Sequence, residues 1–183
     1  MRFAQLGLSL FTFLQILAPY AAIGQEGGTT LEYQVKGAYL YNFAKFVDWP
    51  PETFSSASSP FSLCMLGKDP FKPEFENELK EKKIHDRNLE VRRIVNVEEA
   101  SSCQILFVPA AEEARLHEVV AGLKGKSVLI VGETPGFDDL GGMIQFVLES
   151  GTVRFKINLT SAKLSGLQIS SKLLQVAMPE DQK

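Results

Sequence analysis

The sequence predicts an α/β fold: about six strands in a mixed, mostly parallel sheet, with helices on both faces and a C-terminal antiparallel hairpin. Three observations predict it. Short apolar runs closed by glycine or proline alternate with charged, helix-period segments through the middle of the chain, the pattern of parallel strands joined by crossover helices. Near the end, two alternating runs meet at a Ser150-Gly151 turn. The chain has 183 residues with 45% hydrophobic content, enough for one well-buried domain and too little for two of usual size.

The chain opens on Met1-Arg2, an apolar run over residues 6–17, Pro19, and the small-residue exit Ala21-Ala22-Ile23-Gly24. This is the layout of a secretory signal peptide: a weakly positive end, a short apolar core and a cleavable tail. Residues 6–17 fall well short of the roughly 20 that a membrane-spanning helix needs. Cleavage is expected after Gly24, giving a signal peptide over 1–24 and a single domain over 25–183. The residue directly after the cleavage point is Gln25 and not a cysteine, which argues against a lipid-anchored product. Cleavage removes Arg2, so 18 of the 19 Lys and Arg remain against 22 Asp and Glu, a net charge of −4. Such a domain releases few counterions from a phosphate backbone, and nucleic acid is excluded as a partner. A soluble exported protein is expected.

Residues 25–28 read as a leader. Thr29 with Glu32 three positions on is a capping-box signature, so a helix starts there. Leu31, Val35, Ala38, Tyr39 and Phe46 form one stripe, and Leu40, Ala44 and Val47 widen the apolar surface onto a second flank. Neighbouring elements of the domain cover that excess, or else a protein partner or a homodimer does. Asn42 falls within the stripe and reads as a structural polar residue, because a buried amide must find hydrogen-bond partners; a ligand contact is the alternative. Trp49-Pro50-Pro51 ends the helix, since two prolines cannot continue it.

After a serine-rich loop, residues 61–66 read as a strand closed by Gly67, 71–83 as a charged helix, and 89–95 as a strand. Residues 105–108 follow as a buried strand, 111–123 as a helix and 127–131 as a strand. The alternating runs 142–149 and 153–157 make the hairpin, and Ile169, Leu173, Leu174, Val176 and Ala177 recur at helical spacing. Cys64 and Cys103 lie in two apolar strand-like runs. An even cysteine count in an exported chain favours a disulfide, two separately buried thiols being the other reading.

No pattern for catalysis or metal binding survives inspection. Gly125-Lys126-Ser127 looks like the end of a phosphate loop, but Val120 stands where the first glycine belongs, and the triplet leads from helix to strand rather than strand to helix. His85 and His117 are the only histidines, and neither has a second ligand at helical spacing. Asp138-Asp139 with Glu133 offers carboxylates for a hard cation, without the regular spacing of a cation loop. No Gly-x-Ser-x-Gly elbow or Ser-x-x-Lys pair occurs. No enzyme, cofactor or metal is expected. Ser170-Ser171-Lys172 is polar without a chemical partner. Its ordinary reading is one serine against the backbone and a solvated lysine.

The C-terminal stretch resembles the YfiR-like family of small periplasmic bacterial proteins. Three phrases carry the resemblance: Gly142-Met143-Ile144-Gln145-Phe146, Val153-Arg154-Phe155-Lys156-Ile157-Asn158, and Ser165-Gly166-Leu167-Gln168-Ile169-Ser170-Ser171-Lys172-Leu173-Leu174. A second anchor, Val35-Lys36-Gly37-Ala38-Tyr39-Leu40-Tyr41-Asn42-Phe43-Ala44-Lys45-Phe46-Val47-Asp48-Trp49-Pro50, is similar to the family's opening helix and its aromatic exit. The resemblance implies a periplasmic repressor that binds the periplasmic domain of an inner-membrane diguanylate cyclase, lowering cyclic di-GMP and biofilm formation. It implies sequestration by an outer-membrane lipoprotein and a stabilising bridge between Cys64 and Cys103. The second cysteine pair that some relatives carry in the hairpin has no counterpart here.

Trp49, a large ring beyond its helix end, and Ser170, Ser171 and Lys172 are the candidate partner contacts. The rival reading is a periplasmic small-ligand receptor without a cyclase partner, using a crevice at the C-terminal ends of the parallel strands, bordered by Gly67, Pro109 and Gly132.

Overall fold

The computed structural model describes residues 30–71 and 73–179; the expected signal segment, the leader and the Thr29 cap lie outside the described residues. Helix α1 (Thr30–Phe46) runs directly into the short strand β1 (Val47–Asp48). Then come β2 (Phe61–Leu66), α2 (Pro73–Leu79), β3 (Lys83–Ile84), β4 (Arg87–Ile94) and β5 (Ile105–Val108). The chain continues through α3 (Leu116–Gly122), β6 (Leu129–Gly132), β7 (Ile144–Glu149) and β8 (Thr152–Ile157), and closes with α4 (Leu159–Leu164), β9 (Gln168–Ile169) and α5 (Ser171–Val176). Seven strands form one sheet in the order β3-β4-β2-β5-β6-β7-β8, and β1 pairs with β9 as a separate two-stranded ladder.

The expected α/β class holds, with parallel pairing from β4 through β7 and an antiparallel β7–β8 hairpin. Ser150 and Gly151 both take positive φ, 50° and 78°, the mirror-image turn that matches strand twist. The seventh strand is β3. Its first residue, Lys83, belongs to the expected 71–83 helix, but α2 stops at Leu79, where the last apolar side chain of the segment is buried. His85 and Asp86, at φ 47° and 65°, then turn the chain back as a second hairpin. The expected helix over 111–123 is a 3-10 segment, Ala110–Arg115, leading into α3.

Helices cover both faces of the sheet. Phe107, Phe146 and Phe155 face α1: Phe43 lies 5.0 Å from Phe155 and 5.7 Å from Phe146, and Phe146 lies 6.3 Å from Phe107. Alternate strand residues point the other way. There Cys64 is bonded to Cys103, at the end of the 3-10 segment Val97–Ser102 on which α3 packs. Phe43, Phe61, Phe107, Phe137 and Phe155 are fully buried, each contributing roughly 1.5–3 kcal/mol of apolar transfer energy.

The phase of α1 differs from the expected one. Its buried face is Lys36, Gly37, Leu40, Phe43 and Ala44, and Leu31 is 68% exposed. Tyr39 and Phe46, from the expected stripe, are half-buried flanks, while Ala38 is exposed. The reason is the sheet: aromatic rings on β7 and β8 take up Phe43 and Tyr39, and Phe75 of α2 presses so close on Gly37 that a Cβ there would lie 2.7 Å from its ring. The structural role expected of Asn42 is therefore corrected. It lies on the outward side of α1, half-buried, and its amide bonds no described residue.

The C-terminal helix is also shorter than expected. Ile169 belongs to β9, and in α5 only Leu173 is buried, Leu174 and Val176 being 36% and 64% exposed.

Candidate functional site

Two surfaces stand out. The first is the β1–β9 ladder, where Val47 pairs with Ile169 and Asp48 with Gln168, and the Ser170 amide donates to the Phe46 carbonyl at 2.9 Å. It joins the exit of the opening helix to the C-terminal phrase, more than a hundred residues apart in the chain. Trp49 and Ser170 thus flank one short ladder. Trp49 is half-buried. Its ring meets Phe61 edge-on at 4.9 Å, and its indole N–H donates to the Gln104 carbonyl at 3.1 Å. Ser170 caps α5, its hydroxyl accepting from the Leu173 amide at 3.3 Å. Ser171 and Lys172 are exposed. The exposed candidates are therefore Ser171 and Lys172, continued along α5 by Leu174 and Val176.

The second surface is a groove of about 1200 Å³ between α1 and α2, at the C-terminal ends of β2, β5 and β6. Lys68, Pro109 and Glu133, at or next to the three expected border positions, line it. At its inner end a buried ionic cluster ties α1 to the sheet. The Lys36 ammonium donates to both Glu32 and Glu133. The other Glu133 oxygen accepts from the Tyr33 hydroxyl at 3.0 Å and the Ala110 amide at 2.8 Å. The side chains of Lys36 and Glu133 are each only 6% exposed, and a buried charge pair is tolerated only when its hydrogen bonds are satisfied this fully. The Arg93 guanidinium holds the outer wall, bridging Asp69 at 2.8 Å and Glu76 at 3.1 Å; its pKa is raised, chiefly by the hydrogen bond to Glu76.

The other sequence candidates stay apart. Glu133 turns to Lys36 rather than joining Asp138 and Asp139, and no three His, Cys, Asp or Glu among the described residues are grouped to hold a metal. His117 is exposed, and His85 faces Asp48 at 3.9 Å with both largely solvated. Cys64 and Cys103 form the disulfide, with Cα atoms 6.0 Å apart.

A family model described as YfiR/HmsC-like matches residues 33–178. The chain belongs to the YfiR/HmsC-like family. The match takes in both sequence anchors, the disulfide, the groove and the β1–β9 ladder. The family is one of periplasmic regulators of diguanylate cyclase signalling that act through a partner protein, and it is regulatory rather than catalytic. Among the described residues of this member, no helix is long and apolar enough to cross a membrane.

Sequence reasoning missed Lys36 as a site residue. A signal was present: Lys36 stands four positions after Glu32, the spacing of a helical ion pair, and three and four positions from apolar neighbours that point inward. Glu133 carried a weaker one, following directly on the fully buried strand β6.

Proposed function

We propose that this chain is a periplasmic repressor that binds the periplasmic domain of an inner-membrane diguanylate cyclase, lowering cyclic di-GMP and biofilm formation. The family match over residues 33–178 carries the reading. The repressor favours the inactive cyclase by binding that conformation more tightly, and only this difference in affinity moves the equilibrium. An outer-membrane lipoprotein that sequesters the repressor lifts the inhibition. Export through the 1–24 signal and action as the single domain 25–183 belong to the same reading.

The contact surface we assign to the cyclase is the exposed side of α5, Ser171 and Lys172 with Leu174 and Val176, reached past Trp49 and the Ser170 cap. Exposed apolar side chains rimmed by polar groups have the make-up of an interface centre. Deleting the gene beside a functioning cognate cyclase raises cyclic di-GMP and surface attachment, and an exported wild-type copy reverses both. Leu174→Asp with Val176→Asp relieves repression while the melting temperature holds. Unchanged cyclic di-GMP in the deletion strain overturns the repressor reading.

The ligand-receptor reading draws on the groove itself, which lies at the strand ends where such a site is expected.

A further inference from the structure

We infer that residues 168–178, from β9 through α5 to Met178, form a strap that opens as one unit from a sheet that stays folded, and that opening withdraws the α5 surface assigned above to the cyclase. The withdrawal rests on the cyclase reading. The opening does not.

Few bonds hold the segment. It is joined to the rest of the protein by the two residue pairs of the β1–β9 ladder, by the Ser170 amide on the Phe46 carbonyl at 2.9 Å, and by the Met178 amide on the Phe155 carbonyl at 2.8 Å. No side-chain hydrogen bond or ion pair joins it to a described residue outside it, and the Ser170 hydroxyl turns back on the Leu173 amide. Leu173 is the one buried side chain of α5. A segment with so few buried apolar contacts belongs to the low end of local stability. Phe107 and Ile130 belong to the other end, buried in strands that are paired on both sides.

The strap also covers an edge with which it hardly pairs. The two-residue turn closes on the Glu149–Thr152 pair, so Thr152, Arg154 and Lys156 aim their backbone groups at β7, and Val153, Phe155 and Ile157 aim theirs outward. Of these outward groups only the Phe155 carbonyl has a partner among the described residues, the Met178 amide, although all three residues are buried. A full ladder along β8 would fasten the segment with several bonds, whereas here one bond and Leu173 hold its far end. Leu173 lies between the Ser170 and Met178 attachments and serves both, so its release frees the two together. Only the closed strap fixes Leu174 and Val176 in place, and the apparent affinity of a partner on α5 falls with the closed fraction.

Hydrogen exchange of the purified protein, read amide by amide, tests the strap. The Ser170 and Met178 amides are expected to share one protection level, about 100-fold below that of Phe107 and Ile130, and one shallow dependence on low urea. Leu173→Ala lowers the protection of both by the same factor, about thirtyfold. A disulfide across the ladder, from Val47→Cys with Ile169→Cys, raises the protection of both. Protection equal to that of the sheet, or a Leu173→Ala variant that loosens Met178 and leaves Ser170 as it was, overturns the strap. In cells with a functioning cognate cyclase, Leu173→Ala raises cyclic di-GMP and the cross-linked variant keeps it low. If deleting the gene raises cyclic di-GMP while Leu173→Ala, loosened as expected, does not, the regulatory role is overturned. If the deletion changes nothing, the cyclase reading fails, and the exchange result still decides the strap.

Discussion

The Lys36 ammonium is bound to the Glu133 carboxylate across 97 positions of sequence, with both side chains buried. The pair fastens the middle of α1 to the end of a central parallel strand. Lys36→Ala leaves Glu133 and Glu32 without that buried counter-charge, and breaking such a pair costs about 3–5 kcal/mol. Urea unfolding is expected to show this loss of stability. The double variant Lys36→Met, Glu133→Leu recovers part of it: the Glu133 charge is no longer left alone, while Glu32 still lacks Lys36 and the Tyr33 hydroxyl and Ala110 amide have lost their acceptor.

The disulfide joins β2 to the turn before β5, so its removal frees 39 positions of chain in the unfolded state. Cys64→Ser and Cys103→Ser are each expected to lower stability by about 2–4 kcal/mol and to reduce periplasmic abundance. Non-reducing peptide mapping yields one linked pair in the wild type. Free labelling of both thiols in native protein contradicts the bridge.

Trp49 enters the sequence reading as a partly exposed contact, and the structure gives it packing and a hydrogen bond. Trp49→Ala removes the edge contact with Phe61 and is expected to cost about 3 kcal/mol. Trp49→Phe costs about 1 kcal/mol, since the Gln104 carbonyl keeps its bond from the Leu129 amide. If cyclic di-GMP rises in the Phe variant while the melting temperature barely moves, the indole also touches the partner.

Gly142, in the first phrase of the C-terminal resemblance, is pressed under the buried ring of Phe137. A Cβ at that position lies 2.3 Å from the ring and 2.7 Å from the Phe137 carbonyl oxygen. Gly142→Ala is therefore expected to destabilise by about 1–3 kcal/mol, because a fully buried ring and a backbone atom both have to move. Thermal unfolding measures it. A neutral result means that the Gly136–Gly141 turn region yields more easily than its packing indicates.

The mature chain is expected to begin at Gln25. N-terminal sequencing or intact mass of protein from the envelope fraction checks this, and a full-length product retained in the membrane contradicts export with cleavage.

Local pattern was enough for much of this protein. The run that became β5 is apolar at every position and that of β2 at all but Ser62, β8 of the Ser150-Gly151 hairpin alternates strictly, and two cysteines leave one pairing within the chain. These features depend on neighbours a few residues away, which the sequence displays. The phase of α1 does not. Leu31, Val35 and Ala38 fit a helical stripe as well as Leu40 and Phe43 do, and the choice was made by the rings of Phe146 and Phe155 more than a hundred residues away. The ladder between Val47 and Ile169 is two residues long, too short to leave a period, and forms because α1 and the C-terminal segment are already held side by side. In the sequence Glu133 stands as a carboxylate near Asp138 and Asp139, and nothing pairs it with Lys36. Only the closure of α1 over the ends of the parallel strands took both out of water, and with them built the groove between α1 and α2.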